Sequence, residues 1–338
     1  MRGLSPADLS FSLAPFLDGA TAPVLLAVSG GPDSTALMHA AATRGAPAGL
    51  FVATVDHGLR AGSADEAAEV GRLAEKLGLP HAVLTWETPQ RQNRIQAEAR
   101  EARYGLLSRH AQTLGANRIL AAHTRDDQAE TVLMRLIAGS GPAGLAGMRA
   151  ERPLGEGPRL ARPFLDIAKA DLVAYCEAHA LPFVRDPSNA DERFARARLR
   201  RLLPLLEGEG LSTERLARLA ARMARDDAAL AAQAATIFEA VRLAGEGEGL
   251  TLDGRRLAQE PAATVLRVLD AALGHDDAAP PKRLDRLETL VLDGILPALA
   301  RGEPLRRTLR GKIVGVGPSG RIRITPAPPR RRAASLTL

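Results

Sequence analysis

Short apolar runs alternate with segments of helical character along the first half of the chain. The runs have the length of buried strands and cover residues 24–29, 49–56, 81–86, 118–123 and 160–165. The helical segments that follow them cover residues 33–42, 63–78, 93–115, 125–138 and 167–179. This alternation predicts βαβ units, and therefore an α/β domain with a parallel sheet and helices on both faces. In such a sheet a ligand binds at the carboxyl ends of the strands.

One predicted helix start has a specific signal. Ser63 and Glu66 have the spacing of a capping box, in which each side chain bonds to a backbone N–H of the other residue. We therefore expect Ser63 to be the N-cap of a helix that ends near Gly78.

The pattern changes near residue 211 and becomes mainly helical, as in residues 212–240. Alternating apolar and polar residues return at 312–324, where a Gly-Pro-Ser-Gly turn interrupts them, and they predict a β-hairpin. A Glu-Gly-Glu-Gly run at 207–210 marks the change. The sequence thus predicts an N-terminal segment (1–21), an α/β domain (22–208) and a mainly helical C-terminal domain that ends in a hairpin (211–338).

The first predicted strand ends in a hexapeptide suited to phosphate binding. Its glycines allow backbone N–H groups to approach an anion, and the helix that follows adds its positive end. No lysine follows, so the loop is not a Walker A motif; an ordinary glycine turn is the alternative. An acid in an anion site is expected to hold Mg²⁺ that itself binds the phosphates, and we predict this role for Asp33. The predicted phosphate-binding residues are Ser29, Gly30, Gly31, Pro32, Asp33 and Ser34.

Two carboxylates lie on the helix after the fourth predicted strand. Asp127 and Glu130 are three residues apart and share one helical face, an arrangement that suits an ammonium ligand or a metal ion. A solvated acidic first turn, favoured by the helix dipole, is the alternative. His123, at the strand end, is expected to contact a nucleotide or orient a carboxylate, unless it is a structural histidine.

Arginines form two further candidate groups in the α/β domain. Arg100 and Arg103 share a helical face and could neutralise phosphate charge during a reaction, although a helix-surface role would need the same residues. A second, arginine-rich helical segment suits a nucleic-acid backbone, with a salt-bridged helix as the alternative. Its members are Arg196, Arg198, Arg200 and Arg201.

The positive charge of the chain is concentrated near its C-terminus. Residues 301–338 carry ten Lys or Arg and one acid, whereas the remainder has 35 basic and 38 acidic residues. A basic segment of this kind is typical of polyanion binding, and Arg306, Arg307 and Arg310 are its candidate contacts. A solvated basic arm is the alternative.

Composition excludes several classes of protein. Cys176 is the single cysteine, so one chain can build neither a disulfide framework nor a cysteine-based metal cluster. The N-terminus lacks the apolar core of a signal peptide, and no run of 18 apolar residues occurs. We expect a cytoplasmic protein that does not interact with a membrane.

The hexapeptide at 29–34 resembles the phosphate loop of the PP-loop (N-type ATP pyrophosphatase) enzymes, which split ATP between the α and β phosphates. Further segments are similar, in this order, to the tRNA(Ile)-lysidine synthases. They are VDHGLR at 55–60, AREARY at 99–104, AHTRDDQAET at 122–131, GSGPAGLAGM at 139–148, RPFL at 162–165 and DPSN at 186–189. The resemblance is close over residues 22–206 and loose beyond residue 211.

This resemblance implies a Rossmann-like ATP-binding domain and a two-step reaction. ATP, with Mg²⁺, adenylates the C2 oxygen of the wobble cytidine of CAU-anticodon tRNA(Ile), and free L-lysine then displaces AMP to give lysidine. It further implies that the 29–34 loop binds ATP, that Asp33, Arg100 and Arg103 serve catalysis, and that Asp127, Glu130 and His123 bind lysine. The arginines at 196–201 and 306–310 would contact tRNA.

Two departures from the family pattern and several rival functions stay open. Ala197 stands where the family often has Asn, and Thr124 where some members have a second His. The rivals are another PP-loop tRNA-modifying or amide-forming enzyme and a non-catalytic nucleotide- or tRNA-binding module. A single cysteine argues against a 2-thiolase, and the intact acids argue against a non-catalytic module. Whether the chain forms a homodimer is also open.

Overall fold

A computed structural model describes residues 6–56, 58, 62–86, 95–184, 195–244, 249–274 and 284–328. The chain forms two compact units, one of residues 1–139 and 144–222 and the other of residues 140–143 and 223–338. The predicted domain limits, 22–208 and 211–338, stay a prediction. The DPSN motif at 186–189 and the last ten residues lie outside the described residues, as do the side chain of Arg100 and part of the VDHGLR motif.

The first unit contains the predicted parallel sheet. Its strands are β1 Val24–Ala27, β2 Leu50–Asp56, β3 His81–Thr85, β4 Arg118–Ala121, β5 Glu151–Pro153 and β6 Arg159–Ala161. Their order is β3-β2-β1-β4-β6-β5, and every neighbouring pair is parallel except β5 with β6. In the centre of the sheet, Leu25 pairs with Phe51 on one side and Ile119 on the other. The sequence did not predict the antiparallel edge strand β5.

Helices cover both faces of this sheet, as predicted. The helices up to residue 241 are α1 Pro6–Leu17, α2 Pro32–Arg44, α3 Ser63–Lys76, α4 Ile95–Thr113, α5 Arg125–Ile137, α6 Pro142–Leu145, α7 Lys169–Ala178, α8 Ala195–Gly208 and α9 Thr213–Val241, of which α6 and α9 have residues in both units. Leu26 of β1 packs into a core with α1, α2, α3 and α7, whereas Leu25 packs with Leu107 of α4. Strands buried on both faces are continuously apolar, and this is why the sequence showed runs.

A separate apolar cluster joins α5, α8 and the start of α9 in the same unit. It contains Ala129 and Leu133 of α5, Leu199 of α8, and Leu216 and Ala220 of α9. These contacts hold the polar side chains of α5 and α8 against each other, and the candidate site depends on this arrangement.

The second unit is more β-rich than the sequence indicated. Its elements after α9 are β7 Arg242–Leu243, β8 Leu250–Asp253, α10 Gly254–Leu257, α11 Ala262–Ala272, α12 Leu284–Leu290, a π-helical turn Val291–Ile295, α13 Leu296–Arg301, β9 Leu305–Leu309, β10 Lys312–Val316 and β11 Arg321–Pro326. The predicted hairpin is β10–β11, but it lies inside a five-stranded antiparallel sheet of order β7-β8-β11-β10-β9. The inner side chains of its strands, such as Val314 and Ile322, pack in one core with Leu252 and Val265. Strands this short have little periodicity of their own, so only the shared core reveals them.

The predicted capping box at Ser63 is wrong. Gly62 is the N-cap of α3, in a left-handed conformation with φ 94°, and it has no side chain to cap with. Its carbonyl accepts the first helical bond, from Glu66 N–H at 3.0 Å. Ser63 therefore lies in the first turn, because the chain enters the helix through a positive φ that glycine tolerates.

Among the described helices, none combines the length and apolarity that crossing a bilayer requires.

Candidate active site

The phosphate loop joins the end of β1 to the start of α2. Ser29 N–H donates to Ser34 Oγ at 3.1 Å, and Ser34 Oγ donates to the Gly31 carbonyl at 3.0 Å. Gly30 has φ +81°, and a Cβ there would lie 3.3 Å from Val70 Cγ2. Its carbonyl accepts a hydrogen bond from Val184 N–H at 2.9 Å. The loop is thus held closed by Ser34, and its turn favours glycine at residue 30.

Asp33 lies in the first turn of α2 beside this loop. Its Oδ2 is 3.2 Å from Lys169 Nζ, while its Oδ1 is buried and has no hydrogen-bond donor among the described residues. Burial raises the pKa of Asp33; the nearby ammonium of Lys169 opposes this rise, and the charges of Asp127 and Asp126 add to it. A buried carboxylate oxygen without a donor, close to other acids, attracts a cation.

The start of α5 carries a capping box that was not among the features predicted from the sequence. Thr124, fully buried, is the N-cap, and its hydroxyl accepts from Asp127 N–H at 3.3 Å. In return, Asp127 Oδ2 accepts from the backbone N–H of Thr124 at 2.9 Å and from its hydroxyl at 3.0 Å. Threonine is among the preferred N-cap residues, which gives the departure from the family pattern at residue 124 a structural role.

The capping bonds also set the charge state of Asp127. Burial works to raise its pKa, but the hydrogen bonds from Thr124 and the positive charges of His123 and Arg196 outweigh burial, so the pKa lies below its usual range. Oδ2 is used by the capping box, and Oδ1 lies 3.9 Å from Arg196 Nη1. Asp127 is therefore a stable anion with one oxygen directed toward a cation.

Two backbone contacts join the starts of α5 and α7. Asp126 Oδ2 accepts the Lys169 backbone N–H at 2.8 Å, and Arg125 N–H donates to the Ile167 carbonyl at 2.9 Å. The sequence predicted no role for Lys169. This residue follows the RPFL motif closely, but no spacing rule connects it with Asp33.

Glu130 is almost fully buried, with 1% of its surface exposed. Its Oε1 lies 2.5 Å from Arg200 Nε, and its Oε2 lies 4.0 Å from Arg196 Nε. Burial raises the pKa of Glu130, although the hydrogen bond from Arg200 opposes the rise. The structure thus places Arg196 and Arg200 against the two predicted lysine-binding acids, and it leaves Arg198 and Arg201 exposed.

Gln128, between the two acids, is buried and holds the GLAGM segment. Its Nε2 donates to the Met148 carbonyl at 2.9 Å, and its Oε1 accepts the Met148 N–H at 2.7 Å. Gly147 has φ +62°, and a Cβ there would lie 2.6 Å from Gln128 Oε1. This close approach requires glycine, which explains the Gly147–Met148 pair in the motif.

The remaining residues predicted from the sequence to belong to the site differ in their surroundings. His123 lies two residues after the end of β4, and its charge helps to lower the pKa of Asp127. Arg103 is half-buried in α4 and makes no hydrogen bond or ion pair within the described part of the chain. Arg306 and Arg307 are exposed on β9, whereas Arg310 forms an ion pair with Asp270 at 2.7 Å.

The donor set allows a simple test for Mg²⁺. No group of three or more His, Cys, Asp or Glu among the described residues is arranged to hold a metal ion. Magnesium in nucleotide sites is commonly bound by one or two carboxylates, with the remaining ligands coming from phosphates and water. The buried Oδ1 of Asp33 fits that kind of site.

Comparisons with known proteins agree with the geometry. A family model of the PP-loop domain matches residues 11–206. The chain is 54% identical to a tRNA(Ile)-lysidine synthase of Methylobacterium sp. (strain 4-46), over 98% of this chain and 97% of the relative. It is 45% identical to a tRNA(Ile)-lysidine synthase of Bradyrhizobium diazoefficiens, over 94% of this chain and 93% of the relative.

A solved structure shows the same fold in another enzyme. A U34-tRNA thiolase from Methanococcus maripaludis is similar over 64% of this chain and 78% of that chain, with a TM-score of 0.54 and 16% identity. The fold is thus shared with the thiolases, one of the rival classes, and does not distinguish them from tRNA(Ile)-lysidine synthases. The sequence similarity to the synthases, which extends along nearly the full length of the chain, does distinguish them. By that likeness and by its phosphate loop, the chain belongs to the PP-loop enzymes and, among them, to the tRNA(Ile)-lysidine synthase family.

Proposed function

We propose that this protein is an ATP-dependent ligase that joins free lysine to C2 of the wobble cytidine of CAU-anticodon tRNA(Ile). The products are lysidine, AMP and pyrophosphate. One observation carries the proposal: a phosphate loop whose Asp33 is linked through Lys169 to Asp126 at the acid-bearing start of α5, in a chain 54% identical to a tRNA(Ile)-lysidine synthase.

In the first step, the C2 oxygen of the cytidine attacks the α-phosphate of ATP, and pyrophosphate leaves as the bond between the α and β phosphates breaks. The N–H groups of the 29–34 loop and the positive end of α2 stabilise the phosphate charge. Arg100 and Arg103 are proposed to neutralise it further. Asp33 would hold Mg²⁺, which screens the charge of the pyrophosphate.

In the second step, the amine of lysine attacks C2, a C–N bond forms, and AMP leaves with the former C2 oxygen. Only the neutral amine is nucleophilic, so the ammonium gives one proton to solvent before the attack, and the nitrogen gives a second proton to solvent as AMP leaves. Asp127 and Glu130 are proposed to bind the ammonium form of lysine, with His123 next to Asp127. Asp127 would do so through Oδ1, since Oδ2 is used by the capping box.

Exposed arginines support the contact with tRNA. Arg198 and Arg201 on α8 and Arg306 and Arg307 on β9 are proposed to contact tRNA phosphates, since all four residues are exposed. Arg196 and Arg200 are proposed to act on the carboxylates that they face, and a tRNA contact by Arg310 would have to compete with Asp270. A reaction on tRNA with ATP belongs in the cytoplasm. The homodimer stays a prediction that light scattering would test.

The test is mass analysis of the nucleoside at position 34 after incubation with ATP, labelled lysine and CAU-anticodon tRNA(Ile). We expect lysidine that carries the label, with release of AMP and pyrophosphate that depends on both lysine and tRNA. The CAU-anticodon methionine tRNA is the matched control and should stay unmodified. An unmodified cytidine in tRNA(Ile), or a different modification at that position, would contradict the proposal.

A further inference from the structure

Lys169 makes a contact that the reaction scheme above does not use. Its Nζ lies 3.2 Å from Asp33 Oδ2, so the one acid of the phosphate loop is paired with a lysine from another helix. Asp33 is 18% exposed, whereas the Lys169 side chain is 41% exposed. The ammonium therefore stands at the solvent side of the pair, where a ligand could reach it.

The position of Lys169 is set by its backbone. Lys169 is the first residue of α7, and its N–H is held by Asp126 Oδ2 at 2.8 Å. Further along α7, Cys176 Sγ donates to the Pro32 carbonyl at 3.3 Å, and Tyr175 bonds to His39 of α2 at 2.8 Å. One contact with α5 and two with α2 thus fix α7, and they hold the start of α7 beside the phosphate loop.

The pair with Lys169 leaves one oxygen of Asp33 unsatisfied. Within the described part of the chain, Asp33 Oδ1 is buried without a donor, and an ion pair that serves stability alone is expected to satisfy its buried carboxylate. Three helix starts, those of α2, α5 and α7, converge here, because Asp33, Asp126 and Lys169 all lie in first turns and contact one another in series. Helix starts attract anions.

The acidic residues around Lys169 and Asp33 do not prevent an anion from binding here, because each of them already has a partner. Asp126 is bonded to the Lys169 backbone, Asp127 is capped by Thr124 and faces Arg196, and Glu130 is paired with Arg200. Lys169 differs from Arg196 and Arg200 in its partner. That partner, Asp33, is expected to bind Mg²⁺, and Lys169 would then be available to a phosphate.

We propose that Lys169 binds the β- and γ-phosphates of ATP and then the pyrophosphate leaving group, exchanging Asp33 for phosphate oxygens when the nucleotide enters. Before ATP binds, the pair with Asp33 keeps the ammonium in place; once ATP is bound, the carboxylate would be released for the cation that accompanies the nucleotide. When the α–β bond breaks, charge grows on the pyrophosphate, and an ammonium beside it stabilises that charge. The inference rests on the proposed function and adds a catalytic residue to it.

The test compares Lys169→Met, which removes the charge and keeps most of the stem, with Lys169→Arg and with Lys76→Met. Lys76 is an exposed lysine in the last turn of α3 and serves as the matched control. Binding of inorganic pyrophosphate, measured by calorimetry at fixed Mg²⁺ and ionic strength, should weaken on the order of 10- to 100-fold in Lys169→Met. Lys169→Arg should recover most of it, and Lys76→Met should bind as the unmodified protein does.

Kinetics supply a second readout. The rate of pyrophosphate release should fall in Lys169→Met, while the KM for lysine should stay unchanged, since the amine site lies on α5. Equal losses in every parameter, or pyrophosphate affinity equal to that of the unmodified protein, would overturn the inference.

A second comparison covers the case in which Lys169→Met folds poorly because it leaves Asp33 unpaired. Asp33→Asn should bind pyrophosphate without Mg²⁺ more tightly than the double variant Asp33→Asn/Lys169→Met, in which neither charge remains. Equal binding by the two would overturn the inference. If the unmodified protein binds pyrophosphate but makes no lysidine, the proposed function fails, and the role of Lys169 is still decided by the binding data.

Discussion

Asp127 and Glu130 lie one turn apart on α5, and their surroundings move their pKa values in opposite directions. Thr124, His123 and Arg196 stabilise the charge on Asp127 and lower its pKa, whereas burial raises the pKa of Glu130 despite Arg200. Two carboxylates of unequal acidity can have different protonation states at the same pH, and they can therefore play different parts in binding lysine. We infer that Asp127 is ionised throughout the working range and that Glu130 responds to pH.

Glu130→Gln should raise the KM for lysine well above any effect on the KM for ATP, because the ammonium loses one of its two partners. In the unmodified protein the KM for lysine should fall as pH rises from the usual glutamate range through the raised pKa, where Glu130 becomes ionised. The variant should lack this pH dependence. Steady-state kinetics from pH 5 to 8 measure both effects; equal effects on lysine and ATP would point to a structural or metal-binding role.

The same shift has a consequence for stability. The folded state of Glu130 binds a proton more tightly than the unfolded state, so its contribution to stability is fully present below the unfolded pKa and is lost as pH rises through the folded pKa. Ionised Glu130 therefore depends on Arg200. Removing that arginine leaves a buried charge unpaired, a change that typically costs about 3–5 kcal/mol.

Asp33→Asn should lower the rate of pyrophosphate release on the order of 100-fold or more, because the site loses the carboxylate expected to hold Mg²⁺. Its free energy of unfolding should change by no more than about 1 kcal/mol, since Lys169 is partly exposed and can pair with solvent instead. Chemical denaturation and a pyrophosphate assay measure the two quantities. Asp65→Asn, an exposed acid in the first turn of α3, is the control, and normal turnover in Asp33→Asn would remove its assigned role.

At the scale of elements, helix starts organise the site. The cap at Thr124 fixes where α5 begins, and Gln128 on the same helix holds the backbone of Met148. The cluster around Ala129 and Leu199 then brings α8 to α5. The site residues are therefore placed by local capping bonds together with one apolar contact surface.

Thr124→Ala should destabilise the protein by about 1 kcal/mol, as is typical when an N-cap hydroxyl is lost. The pKa of Asp127 should rise at the same time, because its carboxylate loses the hydroxyl donor. Urea unfolding measures the first effect and the pH dependence of the lysine KM reports the second. Thr124→Ser, which keeps the hydroxyl, should match the unmodified protein; a similar loss in both variants would show that packing of the methyl group matters instead.

At the scale of the whole molecule, charge is divided unequally along the chain, with ten basic residues and one acid after residue 300. The second unit places Arg306 and Arg323 opposite Gly315 on neighbouring strands, both exposed. Such a pair on an open sheet can contact two phosphates of a nucleic-acid backbone.

Arg306→Gln/Arg323→Gln should weaken tRNA binding and flatten its salt dependence, since each lost phosphate contact removes about 0.9 from the slope of log K against log salt on duplex regions. ATP binding should be unchanged. Arg301→Gln is the matched control, because Arg301 is already paired with Glu303 at 2.7 Å. Filter binding over a range of salt concentrations gives both quantities. If the slope survives these changes and removal of residues 329–338, the basic segment has no part in tRNA binding.

The sequence by itself determined the features that depend on local interactions. The apolar runs specified the strands of the parallel sheet, because strands buried on both faces must be apolar throughout. The order of glycine, aspartate and serine at residues 29–34 specified the phosphate loop, since few other residues permit its turn and its charge. The family followed from these segments, and the comparisons confirmed it.

Only the tertiary structure decided which side chains meet. Lys169 and Asp33 are 136 residues apart in the chain, and Arg200 and Glu130 are 70 apart; no periodicity connects such positions. The five-stranded sheet also escaped prediction, since a short strand depends on the core that covers it. The cap at Thr124 was not predicted either, although Thr124 and Asp127 have the spacing of a capping box. The pattern of apolar and polar residues predicts the secondary structure of its own segment. Ion pairs and sheet edges depend instead on where packing places the other segments of the chain.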